Sequence, residues 1–468
     1  MLIDIIHQGE SDRLEFKKKP NVDSDKWLRT VVAFANCRGG HILFGVDNDR
    51  TVCGLVGNLF AIRDSIANAI ADACAPLPDT VIDIVNVEGC PIVSVEVLQG
   101  RKCPYYLKSQ GDVKGVYVRY DATTRQADDA TLQELRLDGA GIGYDAVECR
   151  GLKLDDAELE ELCERLYNEA IERSPSKAHR ELVKRVTRSQ LKKWGVIIER
   201  HGGDVPTNAL ALLTGSNFLA TSVKCAVFKG TDRSVFLDRH PINGSIIDLV
   251  NESYIWVLSK LNVGAHIEGL KRVDDYEIPP GAIRELIVNA ILHRSYVGAS
   301  SSSVSIAIYD DRLEITSPGG LPRGMTIKKM CEGHSECRNE VVAAVFQYMF
   351  FIENWGTGLL RVKSDLVTAG LPPLEIVDFG TSLRMIVKRR SGVEKTPQKT
   401  PQKSSLRNRI WELLKEHPEM SSTELSEKLS VSVDTIREYI GKLKKDGKLR
   451  RDGPDRGGRW IVITEGGK

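Results

Sequence analysis

The sequence lacks the features that mark several large classes of protein. Its longest nearly apolar run, residues 341–352, is interrupted by Gln347 and is too short to span a bilayer. Residues 1–6 lack the basic segment and the longer apolar segment of a signal peptide. The ten cysteines include no C-x-x-C pair, which predicts reduced thiols in a cytoplasmic protein without membrane contact. A G-x-x-x-x-G-K-S/T loop is also missing, and this absence excludes the motor motif of a helicase.

The composition is that of a globular protein with an uneven charge. A length of 468 residues indicates two to four domains, and 41% hydrophobic and 28% charged residues are ordinary values. The net charge is +1, but residues 388–468 contain twenty Lys and Arg against twelve Asp and Glu. That segment therefore carries +8, and the preceding 387 residues carry −7. A basic C-terminal module predicts contact with a polyanion; the alternative is a basic face that serves solubility.

The basic tail has a boundary and a recognisable order of elements. Residues 395–403 repeat Lys-Thr-Pro-Gln, which predicts an extended linker over residues 391–405. Helical spacing follows over residues 406–417, then a second helix opened by the capping box Ser421-Ser-Thr-Glu424, then a third over residues 433–445. Two strands surround the turn at residues 453–458. Residues 406–468 resemble a winged helix-turn-helix.

This resemblance implies that the third helix enters the major groove of DNA. It places Thr435 and Arg437 near base edges, and Lys442, Arg456 and Arg459 nearer phosphates. Asp434 and Glu438 stand at the same end of the helix, and they disfavour strong DNA binding. The alternative is a winged helix that serves dimerisation or partner docking. By analogy with regulators that pair on two half-sites, we expect a homo-oligomer, in the simplest case a dimer.

Residues 1–140 combine acidic residues with an α+β pattern. A strand at residues 13–17, a helix capped by Ser24 and an apolar strand at residues 41–46 come first. A helix at residues 59–73 and strands at residues 81–87, 91–97 and 116–120 follow, which predicts a mostly antiparallel sheet. Glu10, Glu15 and Asp47 lie around these first strands with Lys17, and such carboxylates can bind a hard divalent cation.

Four motifs in this part resemble the AlbA-type domain of the Schlafen family. They are Glu10-Ser followed by Leu14-Glu-Phe-Lys17, Phe34-Ala-Asn with Gly39-Gly40, Phe44-Gly-Val-Asp47, and Val116-Tyr-Val-Arg119 with residues 123–128. The resemblance implies a nucleic-acid-binding domain. From the nuclease members it implies a metal-dependent RNA-cleaving site, with Glu10, Glu15 and Asp47 binding Mg²⁺ or Mn²⁺ and Lys17 contacting phosphate.

Strand periodicity supports this site only in part. Glu15 and Lys17 are two residues apart and share a face of a strand. Glu10 stands five residues before Glu15, and it joins them only if residues 9–12 form a turn, which Gly9 and Ser11 permit. The alternative is that these acidic residues serve the fold or binding alone.

Residues 276–390 contain a second candidate site. Glu285, Asn289 and His293 are spaced i, i+4, i+8 within residues 280–296, so one helix face presents all three. A glutamate and an asparagine in this arrangement can position water and coordinate Mg²⁺ beside a nucleoside triphosphate. A predicted hairpin at residues 304–316 follows, and glycine pairs come later at Gly319-Gly320 and in Gly356-Thr-Gly358.

This stretch resembles the C-terminal region of transcriptional regulators labelled RecG-like, a divergent GHKL-type ATP-binding α/β sandwich. The resemblance implies that Glu285 and Asn289 form its N-box, with Asn289 as the Mg²⁺ ligand and ATP as the cofactor. It places His293, Gly319, Gly320, Gly356 and Gly358 at the nucleotide. The D-x-G-x-G adenine box is absent, because Ser317-Pro-Gly-Gly320 stands in its place. Cys331, His334 and Cys337 lack a fourth ligand, so we expect a polar loop beside the nucleotide pocket rather than a zinc site.

The predicted fold class is α+β with several domains. They are an AlbA-like domain (1–140), a connecting region of helices and strands (141–275), a GHKL-like domain (276–390), a linker (391–405) and a winged helix (406–468). Two functions stay open, and they differ in whether the protein is an enzyme. The acidic body and the wide resemblance to regulators favour a regulator that binds DNA or RNA and senses a nucleotide, and this is our prediction. The carboxylate set favours the alternative, a metal-dependent endonuclease that cuts tRNA-like or single-stranded nucleic acid, for example in phage defence.

Overall fold

The computed structural model describes most of the chain as two compact units, residues 1–393 and 394–468. The described residues are all except 1, 21–24, 201, 217–218, 220, 269–270, 298–302, 354–355, 391–409, 412, 416, 430–432, 446–448, 454–458 and 463–468. The predicted cap Ser24, the linker and Arg456 lie outside the described residues. Within those residues, no helix combines the length and the apolar character that crossing a bilayer requires.

The first part of the chain is a four-stranded sheet with helices packed beside it. Its helices are α1 (Leu2–Gln8), α2 (Asp25–Asn36), α3 (Leu59–Ala73), α4 (Gly111–Lys114) and α5 (Asp129–Ala140). Its strands are β1 (Leu14–Lys17), β2 (Gly40–Phe44), β3 (Cys74–Ala75), β4 (Thr80–Val87), β5 (Cys90–Val97), β6 (Tyr106–Leu107), β7 (Tyr117–Tyr120) and β8 (Thr123–Gln126). In the main sheet, β1-β2-β5-β4, the first pair is parallel and the other two pairs are antiparallel. The mostly antiparallel α+β pattern is confirmed.

Helix α2 forms because its apolar residues recur at helical spacing. Trp27, Val31 and Phe34 are each at most 2% exposed and face the same core. The indole ring of Trp27 meets the ring of Phe44 edge to face, with centroids 5.4 Å apart. This contact joins α2 to β2 and so places the strand pair that carries the acidic residues.

The middle of the chain is built around a six-stranded sheet. Its helices are α6 (Asp156–Arg173), α7 (Lys177–Leu182), α8 (Arg188–Trp194), α9 (Asn208–Thr214), α10 (Ile246–Lys260), α11 (Pro280–Leu292), α12 (Ile327–Cys331), α13 (Glu340–Tyr348) and α14 (Gly358–Thr368). Its strands are β9 (Ile197–Arg200), β10 (Gly203–Pro206), β11 (Ser222–Phe228), β12 (Phe236–Asn243), β13 (Val263–Glu268), β14 (Lys271–Tyr276), β15 (Val304–Ile308), β16 (Arg312–Pro318), β17 (Glu375–Asp378) and β18 (Ser382–Lys388). The sheet order is β12-β11-β15-β16-β18-β17.

Helix α11 lies at the centre of this part. It contacts α10, α14 and β16, and its predicted packing residues Ile283, Leu286 and Ile287 are all buried. The predicted hairpin is also confirmed, since β15 and β16 pair antiparallel. The predicted domain boundaries at residues 140 and 276 fall inside the first compact unit and stay predictions.

The second compact unit contains the predicted basic tail. Helix α15 (Ser422–Leu429), helix α16 (Val433–Lys445) and the antiparallel strands β19 (Leu449–Asp452) and β20 (Arg459–Val462) follow helical backbone at residues 410–411 and 413–415. The capping box is confirmed, because Glu424 N donates to Ser421 Oγ (3.3 Å) and Ser421 N donates to Glu424 Oε2 (2.7 Å). Apolar residues of all these elements share one core, which includes Ile410, Leu425, Ile436 and Trp460.

Gly139 of helix α5 makes a close backbone contact that we expect to be needed for stability. A Cβ at this position would lie 1.7 Å from the carbonyl oxygen of Cys103. We predict that Gly139→Ala lowers the free energy of unfolding by about 1–3 kcal/mol, although alanine favours helix, because the backbone of the 103 loop has to shift. Gly203→Ala, where nothing lies within 4 Å of the added Cβ, is the control. Urea denaturation of both variants measures the difference, and equal stabilities would contradict the packing described here.

Candidate nucleic-acid and nucleotide sites

The chain turns between helix α1 and strand β1, as a shared site for Glu10 and Glu15 requires. Gly9 has a φ of +88°, a conformation that favours glycine, and its N–H donates to Ile6 O (3.1 Å). Ser11 N then donates to Leu14 O (3.0 Å) across the turn. As a result, Glu10 folds back on β1, and its Oε1 accepts a hydrogen bond from Phe16 N (2.9 Å).

Glu15 is bound by two cations. Its Oε2 lies 2.7 Å from Nη1 of Arg119, whose side chain is only 2% exposed, and its Oε1 lies 2.5 Å from Nζ of Lys17. Arg119 also donates from Nε and Nη2 to Ser11 O (3.2 and 3.0 Å) and from Nη2 to Leu14 O (3.3 Å). The same guanidinium therefore fixes both the turn that carries Glu10 and the carboxylate of Glu15.

Asp47 has partners of its own. Its Oδ2 lies 2.7 Å from Nζ of the exposed Lys18, and its Oδ1 accepts from Asn48 N (2.8 Å). The hydrogen bond from Lys18, together with that from Asn48, lowers the pKa of the Asp47 carboxyl. Across the described part of the chain, no group of three or more His, Cys, Asp or Glu side chains is arranged to bind a metal ion. As they stand, the three acidic residues are not arranged as a ligand set, because both oxygens of Glu15 and of Asp47 and Oε1 of Glu10 already have a cation or a backbone N–H as a partner.

The N-box residues and the later glycine box meet in space. Asn289 Nδ2 donates to Glu285 Oε1 (3.1 Å), as the i, i+4 spacing predicts. A Cβ at Gly358 would lie 1.7 Å from Glu285 Oε1, so a side chain there would displace the Glu285 carboxylate from its present position against α14. Burial raises the pKa of the Glu285 carboxyl, and the hydrogen bond from Asn289 opposes this shift. Gly358 begins α14, whose N-cap residue Thr357 makes no side-chain capping bond.

The polar loop at residues 331–337 borders this glycine box. A Cβ at Gly356, which has a φ of +60°, would lie 2.7 Å from Gly333 O. Lys363 Nζ, in α14, donates to Cys331 O (3.1 Å). Glu285, Asn289, Gly356 and Gly358 thus form one group beside the loop, and this group is the candidate triphosphate site.

His293, Gly319 and Gly320 form a second group, which Arg338 joins. Arg338 donates from Nη1 to His293 O (2.9 Å) and from Nη2 to Gly320 O (3.1 Å). A Cβ at Gly319 would lie 2.4 Å from Nη1. Burial, with a smaller contribution from the Arg338 charge, lowers the pKa of His293 to about 4, so its imidazole is neutral at pH 7. The guanidinium of Arg338 therefore lies against Gly319 and Gly320, in the motif that stands in place of the adenine box.

Asn339 and Arg323 are structural residues for which sequence reasoning gave little or no signal. Asn339 Nδ2 donates to Leu292 O (2.6 Å) and Arg294 O (2.9 Å), and so closes the end of α11. Arg323 donates from Nη2 to Asn36 O (2.5 Å) and from Nη1 to Gly100 O (3.0 Å). Arg338 and Asn339 directly follow the 331–337 loop, and no local spacing relates them to the carbonyl groups that they bind.

The Arg323 contacts belong to an interface between the first part of the chain and residues 295–380. Other contacts across it join Arg38 to Asp378 (2.5 Å) and Ser295 Oγ to Glu134 Oε1 (3.0 Å). The Asp378 side chain is 7% exposed, so its ion pair is largely shielded from water. The loop that follows β16 therefore contacts both the second glycine group and the AlbA-like part.

The predicted nucleic-acid contacts of the tail lie on α16 and β20. Thr435, Arg437 and Lys442 belong to α16, and the side chain of Arg437 is exposed. Arg459 is exposed at the start of β20. The described part of the tail thus presents basic residues on its third helix and on one strand of the wing.

Three family models match the chain in the predicted order. They are "Schlafen, AlbA_2" over residues 10–128, "Putative ATP-dependent DNA helicase recG C-terminal" over residues 301–387 and "HTH domain" over residues 406–452. These matches confirm the suspected architecture and indicate a nucleic-acid-binding protein with an ATPase-like region. Helix α11, with Glu285 and Asn289, lies before the second matched range.

Solved structures and curated proteins add less. The crystal structure of the DIP2311 protein from Corynebacterium diphtheriae is 18% identical, covers 99% of this chain and 96% of its own, and has a TM-score of 0.41. The solution structure of the N-terminal domain of a RecG-related protein from Nitrosomonas europaea is 26% identical, covers 27% of this chain and 91% of its own, and has a TM-score of 0.22. No curated protein matches the chain.

We predict that Arg119 is needed for the stability of the AlbA-like part. Arg119→Met leaves Glu15 and two turn carbonyls without their buried partner, so we expect a loss of about 3–5 kcal/mol in the free energy of unfolding. The control is Lys18→Met, which breaks an exposed ion pair and should leave the free energy of unfolding nearly unchanged. Urea denaturation compares the two, and similar small losses would show that the guanidinium network is not stabilising.

Proposed function

We propose that this chain is a DNA-binding regulatory protein whose ATPase-like region senses a nucleotide. The observation that carries the proposal is the exposed Arg437 on α16, in the C-terminal segment 388–468, which has a charge of +8 and includes the helix-turn-helix match at residues 406–452. A basic module of this kind gains affinity from phosphates, and the side chains at the start of its third helix read base edges. Transcription is the process such a regulator would control, and a dimer would engage two half-sites.

The N-terminal carboxylates have a binding and positioning role in this proposal. Glu15 neutralises a buried arginine, and Glu10 binds the free N–H of Phe16 at the edge of β1. Lys17, whose side chain is 29% exposed, donates from Nζ to Glu15 Oε1 and Phe16 O, and we assign its third donor to a phosphate. Glu10 and Glu15 would have to leave these partners before their carboxylates could bind one metal ion. Because that release costs free energy, we favour nucleic-acid binding over metal-dependent cleavage for this part of the chain.

Purified protein should therefore shift duplex DNA and leave it uncut. We expect Arg437→Ala with Arg459→Ala to weaken duplex binding about tenfold or more and to reduce its salt dependence, because phosphate or base contacts are lost. Arg188→Ala, an exposed arginine of the first unit, is the control and should bind like wild type. Fluorescence anisotropy at several salt concentrations measures both properties.

The endonuclease alternative is tested with the same protein. Labelled tRNA, single-stranded DNA and duplex DNA are incubated with Mn²⁺ or with EDTA, and we expect every substrate to stay intact. Cutting that needs Mn²⁺ and disappears in Glu15→Gln would overturn the regulatory proposal in favour of an enzyme. Unchanged duplex affinity in the double arginine variant would overturn the role assigned to the tail.

Glu285, Asn289 and the backbone of Gly356–Gly358 are the groups that would bind the Mg²⁺–triphosphate. Bound Mg²⁺ would neutralise phosphate charge, and the uncapped start of α14 would offer backbone N–H groups to an oxygen anion. The neutral His293 and the guanidinium of Arg338 would then border the base. This assignment rests on the contact between Glu285 and Gly358, which brings α11 and α14 together.

We predict that ATP with Mg²⁺ stabilises the protein through Asn289. At a ligand concentration one hundred times the dissociation constant, binding raises the free energy of unfolding by about 2.7 kcal/mol. Asn289→Ala should remove this stabilisation, and Asn86→Ala, an exposed asparagine of β4, should keep it. Thermal shift assays measure the effect, and the same shift in all three proteins would contradict the assigned site.

A further inference from the structure

A basic groove lies on the AlbA-like part, on residues that none of the predicted sites use. It has a volume of about 680 Å³, which is within the usual range of about 300–1,000 Å³ for ligand sites. Its lining includes the basic Lys102, Lys108 and Arg136, the acidic Asp112 and the ring of Tyr106. Three cations and one carboxylate give this lining a formal charge of +2, on a body whose net charge is −7.

The cations of the groove retain donors for a ligand. Lys108 Nζ donates one hydrogen bond to Ala71 O (2.8 Å), at the end of α3, and its other two N–H groups remain. Arg136 Nη2 lies 3.4 Å from Asp112 Oδ2, and these two side chains are 50% and 66% exposed. An exposed pair of this length contributes little, so a phosphate oxygen can replace the Asp112 carboxylate.

The lining of the groove also includes apolar residues and one aromatic ring. Tyr105 and Leu107 are buried, with 2% and 0% exposure, whereas Tyr106 between them is half-buried: it packs partly against the core and also lines the groove. Pro76 and Pro104 line the same groove. A ring among basic side chains is suited to bases that stack, and bases offer their faces only where the strand is not paired.

We infer that this groove binds single-stranded nucleic acid, with Lys102, Lys108 and Arg136 contacting phosphates and Tyr106 stacking on a base. The inference rests on the proposed nucleic-acid-binding function and adds a second contact surface to that of the tail. Duplex recognition and single-strand recognition then belong to different parts of the chain. Single-stranded DNA and RNA share the chemistry that the groove recognises.

The test uses the full chain carrying Arg437→Ala and Arg459→Ala, so that the tail contributes little. The probes are oligonucleotides of twelve dT or twelve U nucleotides. Fluorescence anisotropy at several salt concentrations measures their affinity. Lys108→Glu with Arg136→Glu should weaken binding at least about tenfold and reduce the salt slope by about 1.4, which is 0.7 for each of two phosphate contacts. Lys177→Glu with Lys193→Glu changes the net charge equally, lies outside the groove and should bind as before.

The aromatic contact has its own pair of variants. Tyr106→Ala should weaken binding about tenfold, and Tyr106→Phe, which keeps the ring, should bind as before. Tighter binding of dT or of U identifies the natural strand, and either result supports the groove. Equal affinity of the groove and control variants overturns the inference, as does a failure of both oligonucleotides to bind while wild type still shifts duplex DNA. If wild type binds neither single strands nor duplex, the proposed function fails as well.

Discussion

The buried guanidinium of Arg119 is the interaction on which the N-terminal acidic residues depend. A buried cation without partners is costly, so the structure surrounds it with Glu15, the carbonyls of Ser11 and Leu14, and the hydroxyl of Thr124 (3.0 Å). Its central carbon also lies 5.4 Å from the centre of the Phe34 ring. The guanidinium of Arg119 therefore connects strand β7 with the turn after α1 and with helix α2. These contacts fix the positions of Glu10 and Glu15.

Local patterns were sufficient to predict most elements. The helix at residues 59–73, the capping box at Ser421 and the contact between Glu285 and Asn289 all follow from periodicity or from short-range spacing, which depends on neighbours along the chain. The ion-pair partners of the charged residues could not be predicted from these local patterns. Glu15 pairs with an arginine more than one hundred positions away, and no local spacing encodes such a contact.

The glycines of the ATPase-like region illustrate the same limit. Their clustering indicated phosphate binding, and the position of Gly358 against Glu285 is consistent with that prediction. Gly319 and Gly320 have another role in the structure, because their backbone makes room for the guanidinium of Arg338. A glycine pair in a sequence indicates that another group approaches the backbone closely, but it does not indicate whether that group is a ligand or a side chain.

The interface at Arg323 has a consequence for how the chain can change over evolution. Arg323 donates to the carbonyl oxygens of Asn36 and Gly100, and every amino acid supplies such an oxygen. Substitutions on the N-terminal side therefore leave these acceptors in place, provided that the backbone keeps its path. The contacts Arg38–Asp378 and Ser295–Glu134 across the same interface join two side chains, so both partners have to change together there, whereas the backbone contacts of Arg323 are robust to mutational drift.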